Sequence, residues 1–125
     1  MMILVRVLFM LVLSVGVAVA APANNVSSGD VKAMLAKDKK VYLLDVRTPD
    51  EYRQAHLRGA TLIPVNEIER RYFEVPKDRP VVVYCAVGSR SGMVVDFLAK
   101  KGYKQIYNMK DGIVGWYRSG YPIER

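Results

Sequence analysis

The sequence predicts an α/β domain in three layers, α/β/α, built on a central parallel sheet of about five short strands. Strand-patterned and helix-patterned segments alternate along the chain. The run Val81-Val82-Val83-Tyr84 is apolar without alternation, the pattern of a strand covered on both faces in a parallel sheet. The chain has 125 residues, 51% hydrophobic and 25% charged, which suits one globular domain rather than two or a disordered chain. One cysteine excludes an intramolecular disulfide framework, and with one histidine it cannot supply a Cys/His structural metal cage.

Taken in order, residues 1–20 read as a cleaved export signal. Arg6 is the only charge before Asp30, residues 7–19 are uniformly apolar but short for a bilayer span, and Ala18-Val19-Ala20 has the small-x-small form cut before Ala21. No cysteine follows the cut, so no lipid anchor is expected, and the mature domain is expected in the periplasm without a stable membrane anchor. An uncleaved anchor is the alternative, since uncharged residues continue to about Ser28. Residues 21–27 form a small-residue linker and residues 28–125 the domain. Ser28 caps a short helix that puts Val31, Met34 and Leu35 on one face. Residues 41–46 form a strand containing Asp45; Thr48-Pro49-Asp50 then turns the chain into a helical turn over 51–54. Residues 60–64 are a second short strand, and Asn66 caps a helix carrying Ile68, Tyr72 and Phe73. Pro76 and Pro80 break the chain before the strongest strand. Residues 89–101 follow as a helix with Val94, Phe97 and Leu98 as its apolar stripe and Gly102 as its C-cap. Residues 105–109 are the last strand, and 111–125 a glycine-punctuated tail.

The net charge of +7 favours anionic partners, whether small oxyanions, lipid headgroups or nucleic acid. Its cations are interspersed with acids, and the tightest groups, Lys37 with Lys39-Lys40 and Lys100-Lys101, read as solvated helix ends. No basic stripe alternates with aromatics, so nucleic acid is not an expected partner.

In open α/β sheets, sites form beyond the carboxyl ends of the strands, and Cys85 closes the most buried one. It opens the segment Cys85-Ala86-Val87-Gly88-Ser89-Arg90-Ser91, a tight loop running into a helix. Strand, loop and helix in that order aim backbone N–H groups and a helix dipole at one point, an anion pocket. A sulfur held there is expected to favour its thiolate, helped by the Arg90 guanidinium. Gly88 gives the turn its backbone freedom, and Ser89 or Ser91 caps the helix or donates to the sulfur. The plainer alternative is a cysteine that is merely a small buried hydrophobe. Chemistry at Cys85 requires a sulfur that water can reach.

The loop Cys-x-x-Gly-x-Arg-Ser after a Val-rich strand resembles the active-site loop of the rhodanese family, the thiosulfate and related sulfurtransferases. Further stretches match in order: Leu43-Leu44-Asp45-Val46-Arg47 with Glu51-Tyr52; His56-Leu57-Arg58-Gly59-Ala60 with Ile63-Pro64; Asp111-Gly112-Ile113 with Trp116 and Gly120-Tyr121-Pro122. Within the family, the export signal and single domain resemble the small exported sulfurtransferases of the phage shock protein E type. Arg58 stands where the family more often has Pro, and Asp111 where it often has Gly. The resemblance implies a rhodanese-like fold and a ping-pong transfer of sulfane sulfur from a small anionic donor such as thiosulfate to cyanide or a thiol, through a persulfide on Cys85. Ala86 to Ser91 would bind substrate, Arg90 would orient the donor's oxyanion, and no metal or organic cofactor is implied. Asp45 and Arg47 would form a structural charge network with Glu51, His56 would be structural, and Trp116 and Tyr117 would close the core; a monomer is expected. The competing readings are a non-enzymatic persulfide carrier or binding module and, more remotely, a Cys-loop-Arg phosphatase or arsenate reductase. Phosphatase loops place five residues between Cys and Arg, whereas Cys85 and Arg90 have four between them.

Overall fold

The computed structural model describes residues 24–125; the expected export signal and its cut before Ala21 lie outside them. Five parallel strands form one sheet: β1 (Asn25–Val26), β2 (Tyr42–Asp45), β3 (Thr61–Leu62), β4 (Val81–Tyr84) and β5 (Ile106–Met109), in the spatial order β1-β5-β4-β2-β3. Tyr42, Val81 and Ile106 are in register across the three central strands, so their starts share one end of the sheet and their carboxyl ends share the other.

Alternation along β4 sorts the core. Val81, Val83 and Cys85 face one side, with Val94, Val95 and Leu98 of α4 (Ser89–Lys100) and Ile68 of α3 (Ile68–Arg71). Val82 and Tyr84 face the other, with Val31 of α1 (Ser28–Lys37) and Ile113 and Trp116 of α5 (Gly112–Arg118). Val81, Val82 and Val83 are each fully buried, and each contributes about 1.5–3 kcal/mol of burial free energy. This is the three-layer α/β/α arrangement on a parallel five-stranded sheet that the sequence predicts.

Local capping explains the helix starts. Ser27, not Ser28, caps α1: its hydroxyl accepts from the Asp30 amide at 3.1 Å while the Asp30 carboxylate accepts from the Ser27 amide at 3.0 Å. Thr48 and Glu51 make the same reciprocal pair at the start of α2 (Pro49–Gln54), where Pro49 suits the first turn. Lys101, not Gly102, is the C-cap of α4, and Gly102 follows it at φ +93°, the left-handed turn that carries the chain away from the helix.

Two segments differ from the sequence reading. The stretch read as a linker ends in β1, an edge strand paired with β5 through Asn25–Asn108 and Val26–Met109. Two residues are too few to show a strand period. The helix expected from Asn66 is broken into a 3-10 turn (Val65–Glu67), α3 and a second 3-10 turn (Tyr72–Glu74), and Asn66 makes no capping bond. Pro64 starts the first turn, its carbonyl accepting from Glu67 N at 2.8 Å, and Ile68 is the one buried residue in the three pieces, with Phe73 75% exposed. A single buried anchor does not sustain a longer amphipathic helix.

Candidate active site

Cys85 follows β4 directly, and the loop after it is shaped by what holds its carbonyls. Ile113 N donates to Cys85 O at 2.9 Å and Val114 N to Ala86 O at 3.1 Å, so two amides of the first turn of α5 satisfy the loop's first two carbonyls. Side chains are excluded at both crossings. A Cβ on Gly112 (φ +61°) would lie 2.2 Å from Ala86 O, and one on Gly88 (φ +96°) 2.2 Å from Lys110 O. Asp111 is bound to the start of α1, accepting from Ser28 N at 2.9 Å and from the Ser28 hydroxyl, which accounts for an acid where the family pattern has Gly.

With its carbonyls turned outward, the loop turns amides toward the sulfur. Gly88 N donates to Cys85 Sγ at 3.1 Å and the Ser91 hydroxyl lies 3.3 Å from it. Burial alone pushes this thiol up and is the largest single influence on it. The Ser91 hydroxyl and the amides of Ser91, Gly88 and Val87 outweigh it, so the thiol is held below its ordinary value. The expectation of an open sulfur is corrected here: Cys85 is 0% exposed. Its neighbours on the loop reach solvent, Val87 and Ser89 being exposed and Ala86 and Arg90 half-buried.

Arg90 is coupled to the sulfur by charge and not by contact, the negative charge of Cys85 being one of the influences that hold Arg90 protonated. Its fork is spent on Glu51, Nη1–Oε1 at 2.7 Å and Nη2–Oε2 at 2.9 Å, and no hydrogen bond joins it to the sulfur. Glu51 is drawn down to about 2, first by Arg90 and further by Thr48. The charge network foreseen among Asp45, Arg47 and Glu51 is hydrogen-bonded as two pairs that remain coupled through space, Glu51 helping to hold Arg47 protonated and Asp45 doing the same for Arg90. Asp45 and Arg47, both buried, meet at 2.7 Å, and Arg47 also donates to Ala55 O at 2.6 Å. Arg47, Glu51, Ala55, Ala86, Ile113 and Tyr117 border a cleft of about 430 Å³ beside the loop.

Residues 27–119 match the family model for the rhodanese-like domain. The chain belongs to the rhodanese-like family. It is 39% identical over 100 residues to a sulfurtransferase of Allochromatium vinosum, covering 80% of this chain and 94% of that one. It is 29% identical over 97 residues to the thiosulfate sulfurtransferase GlpE of Vibrio cholerae, covering 76% and 92% of the two chains. A rhodanese-related crystal structure from Thermoplasma volcanium superposes with a TM-score of 0.75 at 29% identity, over 81% of this chain and 97% of that one.

In this rhodanese-like domain His56 is a structural residue: its ring stacks on Tyr52 at 3.9 Å, Nδ1 donates to Tyr52 O at 2.9 Å, and its backbone pairs with Glu124. Trp116 is buried and donates to Pro122 O at 2.8 Å, as expected of a core residue. Tyr117 does not close the core; it is 61% exposed at the edge of the cleft.

Asn108 of β5 is the site residue that sequence reasoning missed. Its Nδ2 donates to Gly88 O at 3.2 Å and to Asn25 Oδ1 at 3.1 Å, which fixes Oδ1 toward the Ser91 hydroxyl at 2.6 Å. Ser91 has one proton and two acceptors, Asn108 Oδ1 and the sulfur. A polar residue inside an otherwise apolar strand pattern was the only signal.

Four outcomes follow from this geometry. Ser91→Ala removes the sulfur's side-chain donor and moves the pH profile of Cys85 alkylation to higher pH, slowing the reaction about tenfold below the midpoint. Asn108→Leu frees the Ser91 proton for the sulfur and moves the profile to lower pH, an effect that disappears in the Ser91→Ala background. Asp45→Ala leaves Arg47 buried without its partner and costs about 3–5 kcal/mol in urea unfolding, while any folded fraction keeps a reactive Cys85. Glu51, whose folded value lies below its unfolded one, adds stability that is complete above the ordinary carboxylate value and lost as pH falls toward about 2. The unfolding midpoints of wild type and Glu51→Gln should therefore differ most above pH ~5 and converge on acidification.

Proposed function

We propose that the protein is a thiosulfate sulfurtransferase that carries sulfane sulfur as a persulfide on Cys85. The observation that supports this most is the pair of donors on the sulfur, Gly88 N and the Ser91 hydroxyl, which a merely structural core thiol does not require. In the first half-reaction the Cys85 thiolate attacks the outer sulfur of thiosulfate. A new S–S bond forms, the old one breaks, and sulfite leaves with its electron pair. In the second, cyanide or a thiolate attacks the outer persulfide sulfur and Cys85 leaves as thiolate. The persulfide is an anion, so the loop amides that stabilise the thiolate also serve the intermediate.

Entry of the donor requires the side chains over Cys85 to part, because the resting sulfur is covered. The same cover favours one second reading, a slow persulfide carrier. The phosphatase reading loses support, since Arg90 is held by Glu51 and is not free to clamp a phosphate. The reading of residues 1–20 as an export signal supports a periplasmic setting for this activity.

Purified protein should form thiocyanate from thiosulfate and cyanide, and Cys85→Ser should abolish it. Mass spectrometry after thiosulfate alone should find one added sulfur, ~32 Da, on Cys85. That mass without turnover marks the carrier; phosphatase turnover with neither overturns the assignment.

A further inference from the structure

A parallel sheet has two unlike ends. Cys85 lies at the carboxyl end of β4; the loops that enter β2, β4 and β5 gather at the other. Those loops carry Lys39, Lys40, Lys77, Arg79, Lys101 and Lys104 against only Asp38 and Asp78, and α1 and α4 each finish there on a lysine. Residues 24–125 hold eighteen Lys and Arg against twelve Asp and Glu. Eight against two stand at this end and ten against ten elsewhere, so the whole net charge of the described residues is here. What read along the sequence as scattered helix ends is one face.

The cations of this face are held in place but not neutralised. Arg79 lies over Tyr42 at 5.1 Å, Lys77 over Tyr103 at 5.1 Å, and Lys101 over both Tyr72 and Phe97 at 5.4 Å. Lys77 Nζ donates to Lys101 O at 2.7 Å, tying two of the loops together. Every ion pair among the described residues uses other cations. Beside the face, Phe73 is 75% exposed; it lies between Tyr72 and Val75, whose carbonyls both accept from the Tyr103 hydroxyl.

The chain also enters from this end. β1 runs parallel to β5, and Asn24 Nδ2 donates to the carbonyl of Ile106, the first residue of β5.

We propose that this face rests on an anionic phospholipid surface, with the cations against the headgroups and Phe73 dipping into the interface. Lipid fits better than nucleic acid. The rings of Tyr42, Tyr72, Phe97 and Tyr103 lie beneath cations, which leaves Phe73, among the described residues, as the one open ring at this end and no series of rings on which successive bases could stack. Seated this way, the domain holds the Cys85 loop away from the bilayer, open to soluble donors.

The test uses the full chain with vesicles of phosphatidylcholine alone and of phosphatidylcholine with ~30% phosphatidylglycerol, at low and high salt. The increment due to lipid charge is the readout, since upstream apolar residues act alike on both. Wild type should bind the anionic vesicles at least about tenfold better at low salt, and the preference should collapse at high salt. The triple variant Lys39→Glu, Lys40→Glu, Lys104→Glu should lose the preference at unchanged melting temperature. The opposite-end control Arg53→Glu, Lys110→Glu, Arg118→Glu should keep most of it. Equal binding to both vesicle types, equal loss in both triples, or tighter binding to a DNA duplex than to anionic vesicles would each overturn the proposal.

Discussion

The active loop depends on a junction between two chain segments that are distant in sequence. Its first two carbonyls are spent on amides of α5, so the amides that follow are left to point inward at the sulfur. That junction needs bare backbone at Gly112 and Gly88, where any Cβ would meet a carbonyl oxygen at 2.2 Å. It is tied further back, through Asp111, to the start of α1. The N-terminal edge of the domain is thus part of the site's support: Asn25 of β1 fixes Asn108, which fixes Ser91, which faces the sulfur.

Charge is organised in two ways at the two ends of the sheet. Near the loop the cations are matched: Asp45 with Arg47, Glu51 with Arg90. The pair carried by Glu51 also caps α2, so one carboxylate serves helix initiation and loop anchoring together. At the other end the cations sit on aromatic rings, which orient a charge without cancelling it. Ion pairs fix geometry where the sulfur must be placed, and unpaired charge is left where the surface faces outward.

Strong local signals were legible in the sequence, and relations between distant residues were not. β4 and α4 were each read to within one residue at their ends, β4 stopping at Tyr84 just short of Cys85, because uninterrupted apolar residues and a clear apolar stripe leave little choice. Ser91 as a donor to the sulfur was one of two alternatives, and the structure selects it over Ser89. The partner of Arg90 was misjudged because sequence proximity to Cys85 says nothing about a carboxylate 39 residues away that meets both arms of its fork. β1 was missed because its strand identity comes from β5, not from its own two residues. The burial of Cys85 is of the same kind: the pleat sends residue 85 toward α4 with Val81 and Val83, a packing fact that a loop motif does not encode.

The absence of a direct cation on the sulfur bears on how such a site turns over. A guanidinium touching the thiolate would hold any anion placed there, including sulfite as it leaves and the persulfide that must later be attacked. Neutral donors stabilise charge less tightly and can be reassigned. In the proposed mechanism, loading sulfur on Cys85 would move the negative charge outward by one S–S bond, about 2.05 Å, and make the inner sulfur a poor acceptor. The Ser91 proton then has Asn108 Oδ1 waiting at 2.6 Å, so the buried hydroxyl is never left without a partner in either state. Burial raises the cost of the resting thiolate, but it also keeps water from competing for those few donors. A shallow, closed, neutral collar is therefore suited to passing sulfur on rather than to binding an oxyanion tightly.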